Sequence, residues 1–225
     1  MTEHDEEDNT PLNDMVMVAA LGFLLLFIAA YLQIRPPTAD ANAKMRAEIL
    51  IAMDWPEGAF DDIDLWVMMP DGRKVNFRNR EVDFVTLERD DLGAMNDLYT
   101  DANGQRKLTP VNREVMTIRA LVPGRYIVAA HVYAARTQLS DYADGKLWTT
   151  ERPLPYAATL EVLKLNPRLT EVLKAQVQLT EHGQEAVFAA FDIDADGNAV
   201  NVELNPSQYQ IVDLVPLFGG DEAMR

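Results

Sequence analysis

The sequence predicts a mainly β protein, with a single transmembrane helix followed by an antiparallel β-sandwich. Three observations support this. An uncharged apolar stretch runs from Met15 to Ile34, short segments after residue 44 alternate between apolar and polar residues, and turn signals such as Asp196-Gly197 separate those segments. The alternation indicates strands with one buried and one wet face.

The composition excludes several classes of protein. The 225 residues contain 20 Lys+Arg against 36 Asp+Glu, which gives a net charge of −16, and they contain no Cys. Disulfide frameworks and thiolate metal sites are therefore excluded, and the three scattered residues His4, His131 and His182 are a poor set of zinc ligands. The acidity argues against binding to nucleic acid, which needs a basic surface. We expect no cofactor.

The apolar stretch has the length of a membrane span. Its 20 residues from Met15 to Ile34 would form a helix of about 30 Å, the thickness of a hydrocarbon core. We predict an acidic tail at 1–13, a transmembrane helix at 14–34 and a stalk at 35–43. A cleaved signal peptide is the alternative, but it needs a basic n-region. The first 14 residues contain no Lys or Arg, which favours a retained anchor.

Asp14 stands at the start of the apolar stretch and has two interpretations. In the first, Asn13 or Asp14 is an N-cap that accepts hydrogen bonds from the first free N–H groups of the helix. In the second, a carboxylate at the edge of a membrane span alternates between charged and neutral forms and carries a proton.

The residues around Asp14 resemble the entry motif of the ExbD/TolR family, which is related to the flagellar stator subunit MotB. The match runs through Thr10-Pro11-Leu12-Asn13-Asp14 and the apolar residues that follow, although Asn13 stands where the family has an aliphatic residue. The resemblance implies that Asp14 is the proton carrier, with the proton as coupling ion. It also implies a dimer inside a pentameric polytopic subunit of the ExbB/TolQ/MotA type.

Two arguments about orientation conflict. The positive charges that flank the helix, Arg35, Lys44 and Arg46, all follow it, and the positive-inside rule alone would place the large domain in the cytoplasm. The family resemblance implies the opposite: an inner-membrane protein with a cytoplasmic N-terminus and a periplasmic domain. We follow the resemblance at this stage.

The large domain reads as about ten short strands, the number typical of a sandwich. We place the main sandwich at 44–165 and expect the strands at 166–225 to join it or to form a second sheet. The passages 62–72 and 122–128 resemble strand-turn patterns of secreted bacterial Ig-like or prealbumin-like domains. Such modules mostly bind partners or act as spacers, so the resemblance predicts a fold more than a specific function.

One passage matches a calcium-loop pattern. Asp192, Asp194, Asp196 and Glu203, with Gly197, fit D-x-D-x-D-G-x5-E. The surrounding residues alternate as strands, and Asn205-Pro206 prevents a following helix. The context therefore favours a plain hairpin over a metal site.

Two other acidic groups, Asp61-Asp62-Asp64 and Glu88-Asp90-Asp91, could be paired carboxylates for acid/base chemistry. Acidic residues are common in this chain, so solvated loops are the favoured interpretation, and His131 is interpreted as a hydrogen-bonded sheet residue. No catalytic motif is visible, so an enzyme is not expected. Two hypotheses remain: a proton-driven motor subunit acting through Asp14, and a membrane-anchored β-sandwich that binds or scaffolds without transport.

Overall fold

A computed structural model describes residues 10–33 and 46–212. The chain divides into two compact units, Met1–Arg46 and Ala47–Arg225.

Residues 10–33 of the first unit form an apolar helix, α1 (Thr10–Gln33). Its stretch from Leu12 to Tyr31 is long and apolar enough to cross a membrane, and its side chains are exposed around the whole circumference. A stretch of this length that is apolar on every face has the composition of a membrane span or of a signal sequence.

The helix begins four residues earlier than expected, at Thr10. Asn13 and Asp14 therefore lie inside α1, and the N-cap interpretation of these two residues is wrong, because a cap flanks the first helical turn. The side chain of Asp14 is exposed.

The described residues of the second unit form fifteen antiparallel strands, which confirms the predicted mainly β fold. The strands are β1 (Ile49–Trp55), β2 (Asp62–Met68), β3 (Lys74–Val75), β4 (Glu81–Val82), β5 (Val85–Arg89), β6 (Leu98–Thr100), β7 (Arg106–Leu108), β8 (Asn112–Ile118), β9 (Gly124–Ala134), β10 (Gln138–Asp141), β11 (Lys146–Thr149), β12 (Tyr156–Lys164), β13 (Thr170–Leu179), β14 (Glu185–Ile193) and β15 (Ala199–Leu204). A short 3-10 helix, Gly93–Met95, follows β5.

Two sheets form the sandwich. Sheet A has the order β13-β12-β1-β8-β5-β4, sheet B has the order β15-β14-β9-β2-β3, and β6–β7 and β10–β11 form separate hairpins. The last strands are shared between the sheets, since β13 pairs with β12 in sheet A whereas β14 pairs with β9 in sheet B.

The core lies between the sheets and follows from alternation along each strand. Ile63, Leu65 and Val67 of β2 are fully buried in it, as are Tyr126 and Phe191, whose rings stack at 5.6 Å. Burial of such side chains contributes roughly 1.5–3 kcal/mol each.

The outer face of sheet B is also apolar, and residues 205–212 cover it. We call this segment the strap. Ile211 and Val212 are buried there against Trp66 and Ala129. The backbone N–H of Ile211 donates to Oε1 of Glu185 at 2.6 Å, which fixes the strap to the start of β14.

Candidate functional site

A cluster of buried carboxylates lies where β2, β8 and the end of β5 meet. Asp62 and Asp64 belong to β2, Asp90 and Asp91 follow β5, and Glu114 belongs to β8. The relative exposure of Asp64 is 2% and that of Asp91 and Glu114 is 0%. The interpretation as solvated loops is therefore wrong for Asp61, Asp62, Asp64 and Asp91, because tertiary packing removes them from water, whereas Glu88 is exposed and Asp90 is half-buried.

Glu114 is held by backbone donors from two directions. Its Oε2 accepts the N–H of Leu65 at 2.6 Å and its Oε1 accepts the N–H of Asp91 at 3.2 Å. The Leu65 N–H is available because β3 pairs with β2 only at Val67 and Met68. The carboxylate thus replaces a missing strand partner and satisfies a buried donor.

Three carboxylates converge within this cluster. Asp64, Asp90 and Glu114 each offer an oxygen atom, and these three oxygens lie within 4.8 Å of one another. Oδ2 of Asp64 lies 3.4 Å from Nδ1 of His131. Oδ1 of Asp90 is buried and makes no hydrogen bond with the described residues, while its Oδ2 lies 3.6 Å from the half-exposed guanidinium of Arg80.

Burial dominates the electrostatics of the cluster. Desolvation, together with the charge of Asp64, raises the pKa of Asp62 to about 7, although Arg136 acts in the opposite direction. Desolvation likewise raises the pKa of Asp64 and raises that of Glu114 well above its usual range. Buried negative charges in excess of their cationic partners are costly unless they are neutralised by protons or a metal ion.

The arrangement suits a hard divalent cation. Ca²⁺ and Mg²⁺ prefer oxygen ligands, and Asp64, Asp90 and Glu114 supply carboxylate oxygens within reach of one ion. The imidazole of His131 contacts Asp64, and contacts of this kind orient metal-ligating carboxylates. One oxygen of Asp62 is also buried without a hydrogen bond to the described residues, so the surroundings hold further acceptor capacity.

The residues of the calcium-loop pattern are engaged in other contacts. Asp192 pairs with Arg125 at 3.3 Å and accepts a hydrogen bond from Asn201 at 2.8 Å, and Glu203 also pairs with Arg125. Oδ1 of Asp194 accepts the backbone N–H groups of Asp196 and Asn198, as in an ordinary hairpin turn, and β14 and β15 flank that turn.

Asp14, the predicted proton carrier, lies on the exposed helix of the first unit. Nothing in the described residues tests its role.

Sequence reasoning missed the carboxylate cluster because its members are far apart in the chain. Asp64, Asp90 and Glu114 form no local motif. One signal was available: Glu114 occupies the inward phase of β8, two residues before Met116 and four before Ile118, both of which are fully buried. A charged residue in the buried phase of a strand indicates a specific partner.

Comparisons with known proteins identify no family for this chain. No family model matches it, and no curated protein matches it. A solved structure of a homologue of the telluride resistance protein TerD, from Streptomyces coelicolor A3(2), covers 71% of this chain and 89% of its own chain, with 15% sequence identity and a TM-score of 0.38.

These findings correct the family assignments made from the sequence. The resemblance of residues 9–34 to the ExbD/TolR family, and of the large domain to secreted Ig-like or prealbumin-like modules, is wrong as a family assignment. No family model and no curated protein supports either one. Short apolar strings match many helices by chance, which explains the error at the N-terminus.

Proposed function

We propose that this protein is a membrane-anchored β-sandwich binding module whose carboxylate cluster holds a hard divalent cation. The observation that carries the proposal is the convergence of Asp64, Asp90 and Glu114, with their oxygens within 4.8 Å of one another. Proton transport has no part in it, and the pentameric partner and the dimer, which rested only on the ExbD/TolR resemblance, are not carried forward.

The anchor is α1. Its apolar stretch from Leu12 to Tyr31 suits a bilayer, and the acidic residues that precede it are unlike the basic n-region of a cleaved signal. Alkaline extraction of membranes and the intact mass of the purified protein test this. Retention in the pellet at full mass supports the anchor, whereas a mass that lacks the helix identifies a cleaved signal.

The orientation follows from flanking charge once the family argument is removed. Arg35, Lys44 and Arg46 follow the helix and acidic residues precede it, so the positive-inside rule favours a cytoplasmic large domain. The periplasmic domain predicted from the resemblance is the competing arrangement. Protease protection in spheroplasts and in inverted vesicles distinguishes the two.

Cation binding is tested on the full-length protein in detergent after treatment with a chelator. We expect calorimetry to detect binding of Ca²⁺ or Mg²⁺, and the unfolding temperature to rise with cation concentration. A hundredfold excess of cation over its Kd stabilises the folded state by about 2.7 kcal/mol.

The variant Asp90→Asn tests the assignment with little structural disturbance, because Asp90 is the most exposed of the three ligands, at 15% of its side chain. We expect cation affinity to fall by at least about tenfold, as for the loss of one carboxylate ligand. Asp196→Asn is the matched control, since it removes the same charge from the hairpin that the sequence pattern had indicated. Equal loss in both variants, or no cation binding by the unaltered protein, contradicts the proposal.

A further inference from the structure

A second site lies between the strap and the start of β14, and it shares no lining residue with the carboxylate cluster. The pocket has a volume of about 440 Å³. Its lining comes from Gly183 in the turn before β14, from Glu185 and Val187 of β14, and from the strap residues Asn205, Pro206, Ser207, Tyr209 and Gln210.

Glu185 is the charged group of this pocket. Its Oε1 accepts the backbone N–H of Ile211 at 2.6 Å, which fixes the carboxylate in place. Its Oε2 is buried and has no hydrogen-bond partner among the described residues. A fixed carboxylate oxygen that is removed from water and left unpaired is an acceptor prepared for an external donor.

Neighbouring basic side chains among the described residues do not donate to this oxygen. His131 lies opposite Glu185 in the register of β9 and β14, yet its Nε2 is itself buried without a hydrogen-bond partner in the described part of the chain. Arg125, near the ring of Tyr209, is paired with Asp192 and Glu203.

We propose that this pocket binds a primary ammonium group through Oε2 of Glu185. The donor is a cation because the acceptor is a carboxylate in a chain with a net charge of −16. An ammonium fits better than a guanidinium, because Oε1 is already bonded to Ile211 and a bidentate fork needs both oxygens free. The ammonium belongs either to a small free amine or to a lysine side chain of a partner protein.

The test uses the full-length, isotopically labelled protein in detergent micelles and follows amide resonances by NMR. The probes are n-butylammonium, Nα-acetyl-lysine methylamide, Nα-acetyl-arginine methylamide and the uncharged Nα-acetyl-norleucine methylamide. We expect the two ammonium probes to shift the Ile211 and Gly183 resonances in a saturable manner, and the norleucine probe to leave them unchanged. Tighter binding of the lysine probe than of butylammonium assigns a partner's side chain, and the reverse assigns a free amine.

The variant Glu185→Gln retains a carbonyl acceptor for Ile211 and removes the charge. We expect it to lower ammonium affinity by about tenfold or more, as for the loss of a charge-assisted hydrogen bond. Glu181→Gln, on the exposed turn before the pocket, is the control for net charge and should bind normally. Ser207→Trp, at an exposed strap position, should obstruct the pocket while leaving Glu185 intact.

Three results overturn the proposal: no saturable shift with either ammonium probe, unchanged affinity in both Glu185→Gln and Ser207→Trp, or tighter binding of the arginine probe than of the lysine probe. Cation binding at Asp90 is measured separately in the same Glu185→Gln sample, so failure at one site is distinguishable from failure at the other.

Discussion

Glu114 and Leu65 belong to different sheets, and the carboxylate of Glu114 accepts the backbone N–H of Leu65 at 2.6 Å. The same carboxylate accepts the N–H of Asp91 at 3.2 Å. One side chain thus connects β8, β2 and the loop after β5, and it positions the segments that carry Asp64 and Asp90. The carboxylate cluster and the closure of the sandwich depend on the same residue.

Glu114→Ala should destabilise the large domain strongly. The substitution leaves two N–H groups without their acceptor, and each unsatisfied buried donor costs about 1–3 kcal/mol, so we expect a loss of about 3 kcal/mol or more in the free energy of unfolding. Urea titration of the full-length protein in detergent measures it. Glu171→Ala, at an exposed position of β13, should change stability little; similar losses in the two variants contradict the role of Glu114.

The cation-free protein should become less stable as the pH rises from about 4 to about 7. Burial raises the pKa of Asp62 from 3.8 to about 7 and that of Asp97 to about 6, so in this range the folded state binds more protons than the unfolded state. Stability conferred by a raised carboxyl pKa is present at low pH and is lost as the pH passes the folded-state value.

Unfolding temperatures measured in chelator across this pH range test the prediction. Adding Ca²⁺ or Mg²⁺ should stabilise the protein more at pH 8 than at pH 5, because the cation competes with protons for the proposed ligands Asp64 and Glu114, whose pKa values burial also raises. Two results argue against neutralisation of the cluster by protons at low pH and by the cation at high pH. They are an unfolding temperature that does not change with pH in the absence of cation, and a cation-induced stabilisation that is independent of pH.

Gly93→Ala should weaken both folding and cation binding. Gly93 has φ +59°, and a Cβ there would overlap the backbone carbonyl oxygens of Asp61 and Phe60. Its N–H donates to Asp91 at 3.1 Å, so displacement of this turn moves the loop that carries Asp90. Gly104→Ala is a matched control, because Gly104 has φ +78° with open space around it. Because of this clash, we expect a clearly larger loss of stability and of cation affinity for Gly93→Ala than for Gly104→Ala. Equal losses would mean that only the positive φ, which both glycines share, is responsible.

Ile211→Ala should show that the strap is part of the folded unit. Ile211 is 1% exposed and packs in the apolar cluster on the outer face of sheet B, so its truncation should cost about 2–4 kcal/mol. Gln210→Ala, at the adjacent exposed position, should cost little. A loss below about 1 kcal/mol at position 211 would mean that the strap covers sheet B without stabilising it.

The strands could be predicted from the sequence because alternation is a local property of the chain. In β13, Leu173, Ala175 and Leu179 are buried while Lys174, Gln176 and Gln178 face outward, as the pattern indicates. The apolar helix could also be predicted, since a stretch of twenty uncharged residues is recognisable without knowledge of its tertiary contacts. The hairpin of Asp196-Gly197 also followed from its turn residues.

Only the tertiary structure decided which acidic residues are functional candidates. Asp64, Asp90 and Glu114 lie on separate strands and loops, and their convergence depends on how the two sheets close, which no local pattern encodes. In the local calcium-loop pattern, by contrast, Asp192 and Glu203 form ion pairs with Arg125 and Asp194 stabilises a hairpin turn. Sequence by itself determined the apolar helix through its uninterrupted hydrophobic stretch, and the β architecture through hydrophobic alternation. Packing determined which charges are removed from water, because burial depends on contacts between residues distant in the chain.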